Sequence, residues 1–292
     1  MQSIEDPARN AGEAWQPNYL RGLASLQDLK IPPPSKVVTF TGEFLQSTFG
    51  GIEWSPGLYF KPVSAGDCLL PTRTYYAINA TCEPYLPTKS GTHGAKLVPF
   101  FNNVDTTDGD AAYENVPLFI SAAKRGNNRF GDNEYIYFGT YSQTRWSDKL
   151  DYDRIREHVP DEVKFFWAEQ LSDPGRPDWV TRCLMKHMIP QPEYEGVLPN
   201  SSAASDVTVD EKDLNKQMDK DVRRYIRELR AWEKDASLKA KLLKKENILV
   251  AFGNADADAD PGLRLWWEYL ECVGFDNGFY DMLVGLQAKQ KR

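Results

Sequence analysis

The sequence predicts an α+β fold: a mainly antiparallel sheet or partial barrel followed by a helical C-terminal half with one long helix. Two changes of texture and one unbroken pattern carry that prediction. From residue 36 to about 146, short β-branched and aromatic runs (VVTFTGEF, GLYFKPV, TYYAINA, KLVPFF, VPLFISAA, EYIYFGTY) are separated by Gly, Pro, Asn and Asp clusters, the pattern of strands and their turns. After Trp146 the apolar period becomes helical, because side chains three and four apart share a helix face. From 209 to 245, Leu214, Met218, Val222, Tyr225, Leu229, Trp232 and Ala236 recur at steps of three and four without a breaker, which marks the seam of a single helix.

In chain order, residues 1–35 are expected to hold a short helix with Tyr19, Leu20, Leu23, Leu26 and Leu29 near helical spacing, stopped by Pro32, Pro33 and Pro34. Residues 36–189 form the β-rich domain with its packed helices, and the breaks GIEWSPG and VDTTDGDAAYEN are expected as surface loops. DYDRIREHV, DEVKFFWAEQL and RPDWVTRCLMKHM each predict one amphipathic helix, with Pro160, Pro174 and Pro177 at or near their starts, where proline is tolerated. Residues 190–208, polar and rich in breakers, are expected as an extended or disordered linker. Residues 209–292 are expected to be a helical C-terminal region: the long helix, a further helix from Gly262, and a shorter one around 278–288. The long helix would measure about 55 Å at 1.5 Å per residue. Its seam repeats every ~3.67 residues, near the period of a straight helix, which argues against a simple heptad dimer.

The composition narrows function by exclusion. With a formal net charge of −7 over 292 residues, the chain lacks the basic field needed to coat nucleic acid or anionic membrane, although a local basic patch remains compatible. No run approaches the roughly 18 apolar residues of a membrane span. The N-terminal MQSIEDPARN has acids and no apolar core of signal-peptide length, so an intracellular protein is expected, in nucleus or cytoplasm. Cys68, Cys82, Cys183 and Cys272 are widely spaced, which suits reduced thiols better than a disulfide framework and leaves the sequons at Asn79 and Asn200 unused.

Motifs for catalysis are missing. The sequence has no G-x-S-x-G elbow, Walker A run, GxGxxG or HExxH, and no cofactor is called for. Cys183 and His187 would share a helix face, yet no second pair stands nearby, so a core thiol beside a partly exposed imidazole is favoured over a zinc site. The run from Asn254 to Gly262 resembles the start of a calcium loop, but counting from Asp256 the sixth position is Pro261 and the twelfth is Trp267, not the Gly and Glu required. Asp260 before Pro261 is expected instead to cap a helix.

Residues 89–146 carry the most chemistry. His93 and Lys96 lie in a loop suited to a polar or anionic ligand, and Lys124, Arg125 and Arg129 sit between two strand runs as a basic hairpin tip. In the second run Tyr135, Tyr137 and Tyr141 alternate with Ile136, Phe138 and Thr140, giving a tyrosine face and a core face. Tyrosines beside guanidinium groups suit base stacking and phosphate contact, while packing of those rings with their hydroxyls at the rim is the commoner use of such residues.

GTHGAKLVPFFNN, VPLFISAA, YIYFGTYSQTRWSDKLDYDRI, VPDEVKFFWAEQL, RPDWVTRCLMKHMIPQPEYEG and PGLRLWWEYLECVGFDNGFYDML together resemble a family of fungal proteins known only as a domain of unknown function. The resemblance covers most of residues 70–285 and implies an intracellular protein without assigning a reaction, cofactor or catalytic residue. More loosely, the order of HGAKL, PLFI, a basic turn and YIYFGTY is similar to the layout of PUA-like barrels. That similarity implies a partial PUA-like barrel with a pocket bounded by His93, Lys96, Arg129, Tyr135 and Tyr137.

The expected function is a non-catalytic binding or regulatory module whose basic and aromatic face recognises nucleic acid or a modified base. The alternative is a protein-interaction scaffold working through the 209–245 helix, with Leu229 and Trp232 as its contacts and Arg223, Arg227, Arg230 and Lys234 on another face. An enzyme of unrecognised type comes third.

Overall fold

The computed structural model describes residues 16–24, 26, 29–99, 113–121, 133–143, 152–198, 211–254 and 261–290. The basic tip at 122–132, the loop at 100–112 and the acidic run at 255–260 therefore lie outside the described residues. The chain divides into two compact units, Met1–Phe166 with Arg264–Arg292, and Trp167–Leu263.

The first unit is built on an eight-stranded sheet: β1 (Phe40–Thr41), β2 (Ile52–Ser55), β3 (Leu58–Phe60), β4 (Thr74–Asn79), β5 (Gly94–Val98), β6 (Val116–Ser121), β7 (Glu134–Gln143) and β8 (Trp266–Gly274). The order is β2-β3-β4-β6-β7-β8-β5, with β1 paired to β7 off this path. Every pairing is antiparallel except β4 with β6, which run parallel from Tyr76↔Leu118 to Asn79↔Ser121. With its helices, this is the α+β class the texture of the sequence predicts.

Three local expectations are corrected. The run VVTFTGEF yields only two strand residues before α2 (Gly42–Phe49) begins, because the Thr41 hydroxyl accepts from the Phe44 N–H at 3.1 Å and caps the helix. Phe44, Leu45 and Phe49 then fall on its buried face. GIEWSPG is not a loop but the β2–β3 hairpin. The segment expected to be helical from Gly262 carries strand β8 over Trp266–Gly274, while the capping residue expected at Asp260 lies outside the described residues. β8 lies between β7 and β5, and a strand buried on both faces shows a continuous apolar run that periodicity cannot tell from a buried helix.

Each face of the sheet carries a core. On one, α2 and α8 (Asn277–Gln290) bring Phe44, Phe49, Tyr280 and Leu283, with Phe40 of β1, against Tyr59, Tyr75, Phe119, Tyr135 and Tyr137. On the other, Leu58, Tyr76, Ile78, Leu118, Ile120, Tyr141 and Leu270 pack together. Neighbours such as Tyr75 and Tyr76 thus point to opposite faces, as the pleat requires. Tyr135, Tyr137 and Tyr141 do not share one face: the pairing of β7 slips between Leu118 and Phe119 on one side and between Thr140 and Tyr141 on the other, around Gly139 at φ +124°. An inserted residue reverses the alternation beyond it, so Tyr141 joins the opposite core.

In the chain, α3 (Tyr152–His158) precedes α4 (Asp161–Ser172), which runs across the division between the units. The second unit continues with α5 (Asp178–Met188), α6 (Glu211–Lys241) and α7 (Lys245–Gly253). α5 packs on α6, and Arg176 fastens the pair by donating to the carbonyl of Ala240, to Asp173 O and to Thr181 Oγ1. The 31 residues of α6 span about 46 Å. The helix stops short of the expected 245, and α7 restarts where the Lys244 N–H donates to Asn247 Oδ1 at 2.9 Å. Part of the expected linker is ordered against α6: the rings of Tyr194 and Tyr225 meet edge to face at 5.5 Å. There Gly196 lies so close to Asp221 that a Cβ on it would come within 2.7 Å of the aspartate Cβ. No described helix is long and apolar enough to cross a membrane.

Candidate functional site

Within the first unit, a cleft enclosing about 500 Å³, open solvent included, forms beside the ends of four strands. The β2–β3 hairpin contributes Glu53, Pro56, Gly57 and Tyr59, the exit of β4 contributes Ala77, Ile78 and Asn79, and the following turn contributes Cys82 and Glu83. Asn133 and Tyr135 come from the start of β7, and Phe166 from α4. The wall is therefore aromatic at Tyr59, Tyr135 and Phe166, and polar at two carboxyl groups and two carboxamides. No Lys, Arg or His is among these residues.

Several of these groups are held by local bonds. Glu53 Oε1 accepts from the Gly57 N–H at 3.1 Å across the tight hairpin, and its side chain also bonds that of Tyr59. Burial first, then the Glu53 charge, pushes the Tyr59 phenol far above its usual range, so it stays a neutral donor. The Asn79 side-chain oxygen accepts from both the backbone N–H and the hydroxyl of Thr81, at 2.9 and 2.8 Å, an Asx turn that shapes the exit of β4.

Glu83 and Asn133 differ from the rest. Glu83 is only 5% exposed, and its Oε2 accepts from the Leu97 N–H at 2.8 Å. Its Oε1 makes no hydrogen bond among the described residues. Asn133 is 6% exposed, its backbone carbonyl accepts from Gly42 N, and its carboxamide has no partner among the described residues. Neither Glu83 Oε1 nor the Asn133 carboxamide is among the described side-chain atoms that are both fully buried and unpartnered, so both reach the solvent of the cleft and can exchange water for a ligand there. Burial pushes the Glu83 carboxyl up to about 8, against the opposing pull of the Lys96 ammonium and the Leu97 N–H bond and with a further upward push from Glu268. At neutral pH it is therefore mostly a carboxylic acid, able to donate.

The residues singled out from sequence do not form one exposed face. Lys96 is 1% exposed and pairs with Glu268 across the β5–β8 ladder, Nζ to Oε2 at 2.7 Å. His93 joins two segments: its Nδ1 accepts from the Cys272 N–H at 3.0 Å, and its Nε2 lies 2.9 Å from the Ala24 carbonyl. Tyr137 is 1% exposed within the core, and burial pushes its phenol up to about 12. Tyr135 alone among the described candidates lines the cleft; Lys124, Arg125 and Arg129 lie outside the described residues. Glu53, Glu83 and Asn133 carry no local signature in the sequence. Their chemistry comes from burial and from strand ends that only the fold brings together. Cys183 and His187 lie on α5, and no group of three or more metal-ligating side chains occurs among the described residues.

The fold and cleft define an α+β protein with a neutral-to-acidic, aromatic-walled cavity at its strand ends. The chain belongs to the family described as "Domain of unknown function (DUF6697)", whose model matches residues 39–286. No curated protein and no solved structure matches it.

Proposed function

We propose that this chain is a non-catalytic binding module that recognises nucleic acid by admitting a single base to the cleft beside Tyr135. The observation that carries this reading is a pair of polar side chains lining the cleft, the Glu83 carboxyl with one oxygen and Asn133 with its carboxamide open to it and free of partners among the described residues, set among the rings of Tyr59, Tyr135 and Phe166. A planar heterocycle with hydrogen-bonding edges satisfies both the flat walls and the unpaired groups. The acidic wall disfavours phosphate, so backbone contacts fall to Lys124, Arg125 and Arg129, which lie within nine residues before Asn133 in the chain.

Fluorescence anisotropy with single-stranded, duplex and modified oligonucleotides at two salt concentrations tests the proposal. Binding should weaken on replacing Tyr135 with Ala, and each neutralised basic residue should reduce the salt slope by ~1. Absence of binding at low salt would reject it. The protein-interaction alternative has one supporting observation: Val222 and Ile226, a turn apart on α6, are 41% and 40% exposed. Leu229 and Trp232 are half-buried, so a partner on this helix would meet Val222 and Ile226 first.

A further inference from the structure

Hydrogen-bond chemistry narrows the occupant of the cleft. We infer that it takes the amidine-like edge of a cytosine- or adenine-type base, a ring-nitrogen acceptor beside an exocyclic amino donor, and that Glu83 and Asn133 read that edge. This rests on the proposed function only for the source of the base, a nucleic acid strand; the same edge is carried by a free nucleoside.

Glu83 sets the donor side. Its Oε2 is occupied by the Leu97 N–H, so when the carboxyl is neutral the proton belongs on Oε1, the oxygen without a partner. An O–H at this position on the cleft wall is a donor that a ring nitrogen can accept from in place of water. Asn133 adds an unpartnered carboxamide, which presents a carbonyl to an amino group and an N–H to a ring nitrogen. Glu53 brings further acceptor oxygens to the same cleft, and no Lys, Arg or His is among its described lining residues. An edge made of carbonyl oxygens beside a ring N–H, as in uracil or hypoxanthine, would set its acceptors against those oxygens and its N–H against the Glu83 donor. Such mismatches are penalised more heavily than a matched bond is rewarded, because a buried polar group is left unpaired.

The groups facing Glu83 give the pH sign. Lys96 from β5 and the Leu97 N–H favour its ionised form, Glu268 from β8 opposes it, and burial outweighs them, so the carboxyl remains protonated until about pH 8. Base binding should therefore decline as pH rises through that value.

Two nucleoside pairs, cytidine with uridine and adenosine with inosine, keep the ring and reverse the edge. NMR titration of the full chain should show cytidine and adenosine binding at least ~10-fold more tightly than their partners, a discrimination in the range one matched polar contact supplies. Asn133→Ala should lose most of this preference. Glu83→Gln keeps an acceptor for Leu97 and places a donor in the cleft, so it should retain binding and abolish the decline above pH 8. Glu83→Ala should lose binding; if it does not fold, Glu83→Gln and Asn133→Ala decide the matter. Equal binding of both members of each pair, or a preference untouched by Asn133→Ala and a pH profile untouched by Glu83→Gln, overturns the inference, and retained oligonucleotide binding would leave the proposed function standing. Nucleoside discrimination without oligonucleotide binding supports the inference and rejects nucleic acid as the source. Failure of both probes rejects both.

Discussion

Glu83 joins a stability argument to the functional one. Its folded-state value of about 8 lies above the ordinary 4.5, so between those pH values the folded chain holds a proton that the unfolded chain has released. Stability then falls as pH rises across that window and is undiminished below it. Glu83→Gln removes the titration, and its advantage over the natural chain should grow from about pH 4.5 and level off above about pH 8, reaching on the order of 5 kcal/mol. Urea unfolding at a series of pH values measures this. A constant difference across the series would show that Glu83 is not the titrating group. The neighbouring Lys96–Glu268 pair explains why a lysine can stand inside a buried strand: the register sets its partner directly opposite, and a buried charge persists only when paired.

At the scale of the element, β7 depends on Gly139. The residue sits at φ +124° where both neighbouring ladders slip, and a Cβ there would come within 2.5 Å of the Gly274 carbonyl oxygen. Only glycine fits this backbone and this approach. Gly139→Ala should therefore destabilise the first unit by ~2–4 kcal/mol, the sum of backbone strain and overpacking, as read from the shift in denaturation midpoint. The bulge also explains why the tyrosines of YIYFGTY do not share the single face that a period of two predicts. A period of two is reliable only while pairing is unbroken, and Gly139 marks the break.

At the scale of the molecule, the first unit is discontinuous: β8 and α8 return after the whole second unit has been threaded. β8 lies inside the sheet, and it is the only partner of β5 among the described residues. A chain ending at Leu263 would expose the edge of β7, leave β5 unpaired and remove Tyr280 and Leu283 from the core. It should be insoluble or lack a cooperative unfolding transition for the first unit, which circular dichroism and denaturant titration would report. A truncated chain that keeps a cooperative β-sheet transition would contradict the topology.

The strand texture of 36–146, the helical period of 152–188 and the seam of α6 were legible because backbone geometry imprints its period on any element with one buried face. Thr41 as a cap, the strand identity of Trp266–Gly274 and the inward turn of Tyr137 were not. Each depends on what packs beside it, and a doubly buried strand has no polar face to announce it. The cleft lay furthest from reach. Glu53, Asn79, Glu83 and Asn133 are ordinary polar residues in the sequence, brought together by the parallel pairing of β4 with β6 and the adjoining strand ends. Burial first, with a smaller push from Glu268, gives Glu83 its proton, since the charge that water would stabilise on an exposed carboxylate has no such support inside the fold.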